Sequence, residues 1–304
     1  MNNIHHVKII PSQQYYKTIL NLALTCFLSC FISIISIAQT NNDSTLKIVD
    51  SLKELSYQKY SDNNKAAIEN ISKAIKLKPT DSSLYFYRGT YYSDANQLDE
   101  ALKDFIKFKE MQPENKYVHF YIGYVLMKMN NYDGALAEYN IVLEDFPTDI
   151  TALFNRANVY SKKTKYDLAI KDYEKIIYLN KIQFLDDENL YDSYNNLGFI
   201  YVQLKKYDKA LLNINKGMTT DSSQSYKWGA RGIVYYHTKK YDAALKNLNK
   251  AIAIYESGKD GGYNYKPNLM YYYRGQIYLR RKLSSAAKKD LKKAEELRKL
   301  SESN

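Results

Sequence analysis

Residues 82–115 read SSLYFYRGTYYSDANQLDEALKDFIKFKEMQPEN, and this stretch decides the fold. Leu84 to Met111 holds no proline, and its apolar residues recur at helical spacing. Gln97 and its polar neighbours divide it into two short halves. Two helices joined by so tight a link fold back antiparallel and cross closely. A close crossing needs side chains of little bulk where the backbones meet. Gly89 and Ala101 supply them; they are positions 8 and 20 when Ser82 is position 1. Tyr91 or Tyr92, with Phe105 and Phe108, provide the large apolar groups that fill the space beside the crossing. Pro113 stops the second helix, because proline has no amide hydrogen to donate to the preceding turn.

The same arrangement recurs outward along the chain. YRGTYY, YIGYVL, NRANVY, NLGFIY, ARGIVY and YRGQIY share a central small residue: Gly89, Gly123, Ala157, Gly198, Gly232 and Gly275. The successive gaps are 34, 34, 41, 34 and 43 residues. An alanine follows each small residue at one fixed distance, from Ala101 through Ala135, Ala169, Ala210 and Ala244 to Ala287. A fixed period of this size predicts stacked helix pairs. Upstream, Ala67, Ala74 and Pro79 mark positions 20, 27 and 32 of a seventh unit beginning near Ile48. Its first helix is degenerate, with Leu55 where a small residue is expected. The two longer gaps are insertions. One, around Phe184 to Leu190, carries Asp186, Asp187 and Glu188; the other contains GKDGG at 258–262. Both read as solvated or flexible loops.

These positions resemble the tetratricopeptide repeat, a 34-residue helix–turn–helix. The family's small residues at 8 and 20, tyrosine at 11 and aromatic at 24 are well kept. Position 11 is Tyr92, Tyr160, Tyr201, Tyr235 or Tyr278. The last four units lack the proline of position 32, and position 27 is often larger than alanine. The resemblance implies an all-α fold: an α-solenoid of about seven antiparallel helix pairs wound as a right-handed superhelix. Its repeats start near 48, 82, 116, 150, 191, 225 and 268 and occupy 48–304, after a leader over 1–39 and a linker over 40–47. Arginine stands at position 7 as Arg88, Arg156, Arg231 and Arg274, and three of those units place Asp104, Asp172 or Asp290 at position 23. Antiparallel helices bring these positions to one height, which predicts ion pairs within each unit.

The N-terminal stretch reads as an address. Lys8 and Lys17 precede ILNLALTCFLSCFISIISIA at 19–38, and polar AQTNNDST follows from Ala38. A basic start, an apolar run and a small-residue exit describe a secretory signal, with cleavage near Ala38–Gln39 or Gln39–Thr40. An uncleaved membrane anchor is the alternative, because about twenty apolar residues also span a bilayer. Lipidation at Cys26 or Cys30 fits less well, since the apolar run continues through Ile37. The rest of the chain has no cysteine, so it holds neither a disulfide framework nor a thiolate metal site. The exit and the richness in Asn, Lys, Ile and Tyr resemble exported Bacteroidetes proteins. Net charge is +11. That balance reads as a solvated lysine-rich exterior rather than a nucleic-acid track.

The first helix of each unit presents a second stripe at positions 2, 5, 9 and 12, about a third of a turn from the crossing face. In the family this stripe lines the concave groove. Candidate partner-binding residues on it are Phe86, Tyr117, Phe120, Tyr124, Phe154 and Asn158, then Asn195, Phe199, Tyr236, Tyr272 and Gln276. Only Asp192 is charged on this stripe in a chain that is 25% charged, so the groove is expected to be neutral and rich in aromatics and amides. Such a groove suits an extended peptide or a partner's helix. It lacks the lysines of the family's carboxylate clamp and the cations that a nucleic acid requires.

No catalytic motif appears. His119 and His237 sit in different repeats, and GKDGG lacks the strand and spacing of a phosphate loop. The reading is therefore a non-enzymatic scaffold of the bacterial cell envelope. Its partners are proteins or peptides, with no cofactor, no metal, no nucleic acid and no small-molecule ligand expected. Contact with a membrane is expected only through a retained N-terminal segment. A carbohydrate-binding accessory protein and a sensory module are the alternatives.

Overall fold

The computed structural model describes residues 28, 31, 43–60, 64–183, 188–218, 224–258 and 267–302. The leader other than residues 28 and 31, and the middles of both insertions, lie outside the described residues. All regular structure described is helical. Among the described residues, no helix is long and apolar enough to cross a membrane. The helices group into two compact units, one ending at Pro113 and one beginning at Glu114. The first holds α1 (43–60), α2 (Asn64–Leu77), α3 (Ser82–Asp94) and α4 (Leu98–Met111). The second begins with α5 (Val118–Lys128), α6 (Tyr132–Asp145), α7 (Ile150–Lys162), α8 (Tyr166–Gln183) and α9 (Glu188–Gln203). It continues with α10 (Tyr207–Gly217), α11 (Ser225–His237), α12 (Tyr241–Glu256), α13 (Pro267–Arg280) and α14 (Ser284–Glu302).

Each pair crosses where the small residues predict. Ala101, Ala135, Ala169, Ala210, Ala244 and Ala287 are all fully buried. Across from them, position 8 receives the side chain of position 24. A methyl group on Gly89 would stand 2.9 Å from the Phe105 ring, and one on Gly123 would stand 2.9 Å from Tyr139. Phe105, Tyr139, Tyr173, Ile214 and Leu248 fill these sockets and are themselves buried. In the first pair the buried small residue is Ser56, not Leu55, which is exposed. The register of α1 is thus one residue later than the spacing predicts, and the Ser56 hydroxyl faces the Tyr91 hydroxyl at 3.4 Å. Tyr91 rather than Tyr92 is the buried tyrosine of α3.

The turn inside each pair from 82 onward is one repeated device. Position 15 adopts the left-handed conformation six times, at Asn96, Asn130, Thr164, Lys205, Lys239 and Lys282. The next amide then reaches five residues back, as in Gln97 N–H to Tyr92 O at 2.8 Å and Lys240 N–H to Tyr235 O at 2.8 Å. This Schellman bond satisfies the last carbonyls of the first helix and turns the chain directly into the second.

The position 7 arginines pair as expected. Arg156 donates from Nε and Nη2 to the two carboxylate oxygens of Asp172 at 2.8 Å each. Arg88 holds Asp104 and Arg274 holds Asp290 in the same bidentate way. The third nitrogen, Nη1, reaches position 25 of the preceding repeat: Ser72 for Arg88, Asn140 for Arg156, Asn215 for Arg231 and Asn249 for Arg274. One side chain therefore ties three helices together. Tyrosine at position 11 lies beside the guanidinium, at 5.7 Å for Arg88 and Tyr92 and 5.8 Å for Arg156 and Tyr160.

Candidate ligand groove

In the second unit the first helices of successive pairs lie side by side, α5 on α7, α7 on α9, α9 on α11 and α11 on α13. Their neighbouring faces carry most of the sequence-predicted stripe. Position 5 is only half available. Phe120 and Phe154 are half-buried and rest on Tyr139 and Tyr173, with ring centroids 6.1 and 6.0 Å apart. Phe86, in the first unit, rests likewise on Phe105 at 5.8 Å and Phe108 at 5.2 Å. One third of a helical turn is too little to lift position 5 clear of position 24 on the second helix.

The amides serve the fold. Asn195 is buried and donates to the Gly217 carbonyl at 3.3 Å, in space left free because Gly217 has no side chain. Asn158 accepts the Tyr173 hydroxyl at 2.6 Å and the Asn196 amide at 3.0 Å, a polar knot joining two repeats. Burial pushes the Tyr173 phenol far above its ordinary range, so it stays a neutral donor. Gln276 is half-buried. Tyr117 is 51% exposed, leans on Phe146 and donates to Asp149 at 3.1 Å. The Asp149 charge, and then this bond, raise the Tyr117 phenol. Tyr124 is half-buried, with the Lys128 ammonium 5.4 Å above its ring.

The open part of the stripe lies on α9, α11 and α13. Phe199, Val202, Gln203, Ala230, Ile233, Leu269 and Tyr273 line one small cleft of about 50 Å³. Phe199 is 37% exposed and Tyr272 is 44% exposed. Tyr273 joins this cleft to an aromatic cluster. Its ring lies 4.9 Å from Tyr236 and 5.2 Å from Tyr272, and its hydroxyl meets His237 at 3.1 Å. Tyr273 sits at position 6, outside the predicted stripe, and only the lateral contact of α11 with α13 reveals it. A larger depression of about 250 Å³ lies on another face, among Asn140, Leu143, Glu144, Pro147, Leu153, Arg156 and Lys175. Its cations already have partners, since Lys175 donates to the Pro147 carbonyl at 2.6 Å and Arg156 is held as described. The smaller cleft, lined by uncharged side chains, is the candidate ligand site. Among the described residues, no three metal-ligating side chains gather.

A stack of antiparallel helix pairs with this crossing, turn and lateral groove is a helical repeat protein. Models of the tetratricopeptide repeat match residues 117–149, 150–183 and 191–224, each in step with one helix pair, and residues 71–103, which run from within α2 through α3 into α4. The chain carries tetratricopeptide repeats over these segments, and such repeats generally bind proteins or peptides. No curated protein matches it. A tetratricopeptide repeat protein from Parabacteroides merdae is similar in structure, with a TM-score of 0.63 at 20% identity over 83% of this chain and 93% of that one. PilW, a type IV pilus biogenesis factor, has a TM-score of 0.59 at 15% identity over 69% of this chain and 94% of its own. At these identities the likeness is one of fold alone.

Proposed function

We propose that this chain is a non-enzymatic scaffold of the bacterial cell envelope. It holds an extended peptide or a partner's helix against α9, α11 and α13. The observation that carries this reading is the cleft to which three successive first helices each contribute apolar side chains, from Phe199 to Tyr273. Uncharged walls beside exposed aromatic rings favour an apolar or amide-bearing peptide over an acidic tail. Export rests on the leader over 1–39, which also permits a retained membrane anchor.

The test places a photocrosslinking residue at Leu269, in the wall of the cleft, and another at Lys171, an exposed residue of α8. The first captures a defined protein partner in the native cell, the second does not, and Phe199→Asp removes the capture. Equal capture from both positions would sink the groove reading. Retention by polysaccharides instead of protein, through Tyr236 and Tyr272, would replace it with glycan binding. The mass of the mature chain decides the leader: loss of residues through Ala38 or Gln39 supports a cleaved signal.

A further inference from the structure

The chain's positive charge is not spread evenly over its second unit. It gathers on the turns inside the helix pairs, at repeat positions 13–16. Lys162, Lys163 and Lys165 occupy the turn between α7 and α8, and Lys205 and Lys206 that between α9 and α10. Lys239 and Lys240 follow between α11 and α12, then Arg280, Arg281 and Lys282 between α13 and α14. All but Lys163 are exposed. None of these positions is acidic in any turn of the second unit. The corresponding turn of the first unit is Asp94, Ala95, Asn96 and Gln97, with no cation.

These turns follow one another along an edge. Lys163 binds Asp133 at the start of α6 at 2.7 Å, His237 stacks on Tyr207 at the start of α10 at 5.0 Å, and Arg281 binds Asp242 at the start of α12. Each contact joins the end of one first helix or its turn to the start of the second helix in the repeat before it.

Ion pairs account for Lys163 and Arg281, but stability does not explain Lys205, Lys206, Lys239 and Lys240. A cation complements the end of a first helix, but the same turn begins a second helix, where a cation is unfavourable. Position 15 is left-handed, a conformation that asparagine accepts more readily than lysine. Asn96 and Asn130 use it; Lys205, Lys239 and Lys282 stand in its place. At position 16, Asn131 caps α6 by accepting from Gly134 N–H at 3.1 Å. Lys206 and Lys240 make no side-chain cap at the same place. Charge is retained at two positions where asparagine fits the backbone better.

The geometry points to a docking edge for an anionic lipid surface. The cations stand on projecting turns, and neither cleft described above is lined by any of them. A row of long, exposed lysines meets a charged plane without needing a pocket. Bases would need free aromatic faces to stack upon. The tyrosines of this edge are engaged: Tyr132 and Tyr166 pack against the core, Tyr207 stacks on His237 at 5.0 Å, and Tyr241 meets Tyr236 at 5.8 Å and Arg280 at 5.2 Å. Among the turn residues themselves an acidic peptide would find a single exposed apolar anchor, Leu283, at one end of the row. The edge does not depend on the groove reading, since it shares none of the apolar residues that define the cleft.

The test compares the full chain on vesicles of pure phosphatidylcholine and on vesicles containing phosphatidylglycerol. The readout is the ratio of the two partition coefficients, which cancels any contribution of the apolar N-terminal run. The edge variant is Lys205→Asn/Lys206→Asn/Lys239→Asn/Lys240→Asn. Its melting temperature is expected to hold or rise, while the ratio falls on the order of 1,000-fold at low salt. The control, Lys171→Gln/Lys246→Gln/Lys250→Gln/Lys289→Gln, removes the same charge from exposed second-helix positions and keeps most of the ratio. About 1 M salt abolishes the preference for anionic vesicles. An unchanged ratio in the edge variant, or an equal loss in the control, would overturn the proposal. So would preferential capture of single-stranded DNA that the edge variant loses.

Discussion

The repeats beginning at 82, 150, 225 and 268 carry the position 7 arginine, whereas those at 116 and 191 do not. In the arginine-free repeats the position is apolar and 2% exposed, as Ile122 and Leu197. In the repeat at 116, His119 turns instead to Glu138 at position 23. In the repeat at 191, Asn213 at position 23 bonds its own helix, donating to the Lys209 carbonyl at 2.8 Å. The crossing is therefore built by position 8, 20 and 24 packing in every repeat. The arginine is an added lock between one pair and the helix before it.

The four locks differ among themselves in one informative way. Burial pulls the Arg156 guanidinium down, but the hydrogen bonds and charge of Asp172 outweigh it and leave its pKa raised. Arg231 makes the same contact to neutral Asn247, with Nε to Oδ1 at 2.8 Å, and burial leaves its pKa lowered. The carboxylate, not the geometry, decides the direction. The largest expected effect follows. Arg156→Leu strands the buried Asp172 carboxylate and costs about 3–5 kcal/mol in denaturant unfolding. Partner capture through the α9–α13 cleft stays nearly unchanged at temperatures where the chain is folded. Arg156→Leu/Asp172→Leu recovers most of the loss, because no charge is then left unpaired. An unchanged melting temperature in the single variant would break the comparison. Arg231→Leu strands only a neutral amide, which still donates to the Ala243 carbonyl at 2.8 Å. It costs about 1–2 kcal/mol.

The Arg156–Asp172 pair was legible in the sequence because both residues belong to one repeat. The helix pairs, the buried alanines and the position 8 sockets were legible for the same reason. The third arm of the lock was not. Asn140 and Asn215 mean nothing until the preceding second helix is known to lie beside the arginine. Asn195 misled in the same manner, since its partner is the backbone of Gly217 rather than a side chain with a pattern. Tyr273 escaped because its role depends on lateral contact between α11 and α13. The shift from Leu55 to Ser56 had a signal in the small serine next door, which the fixed spacing overrode. Asn96 and Asn130 also signalled a left-handed turn, but lysine at the later repeats hid its period.

The smaller effects sharpen the contrast between charged and neutral locks. Asn247→Asp gives Arg231 the partner that Arg156 already has. The new carboxylate oxygen replaces the Nδ2 that donates to the Ala243 carbonyl, so the side chain must turn that oxygen away from the carbonyl and onto Arg231 Nη2 to complete the fork. The expected gain is about 1 kcal/mol at neutral pH, since a charged acceptor strengthens a bond that exists. Its pH dependence has a definite sign. A carboxylate paired with arginine has its folded pKa below the unfolded value of about 3.9. The gain is therefore complete above that value and disappears as pH falls through the lower, folded one. Melting curves at pH 7 and near pH 2 measure both ends. A gain that persists in acid would mean that packing, not charge, produced it.

Asn140→Ala isolates the third arm alone. It leaves Arg156 and Asp172 bidentate and removes only the 2.8 Å bond from Arg156 Nη1 to the preceding helix. Asn140 is exposed, so water replaces the lost acceptor. The expected cost is about 0.5–1 kcal/mol. If the arm couples repeats, this cost appears as a separation of the unfolding of α5–α6 from that of α7–α8, because stacked repeats unfold as nearest-neighbour units. Hydrogen exchange resolves the two, with faster exchange in α6 and little change in α12. A uniform shift across the second unit would show instead that Asn140 matters only to its own helix, and that the lock is a device of the single pair.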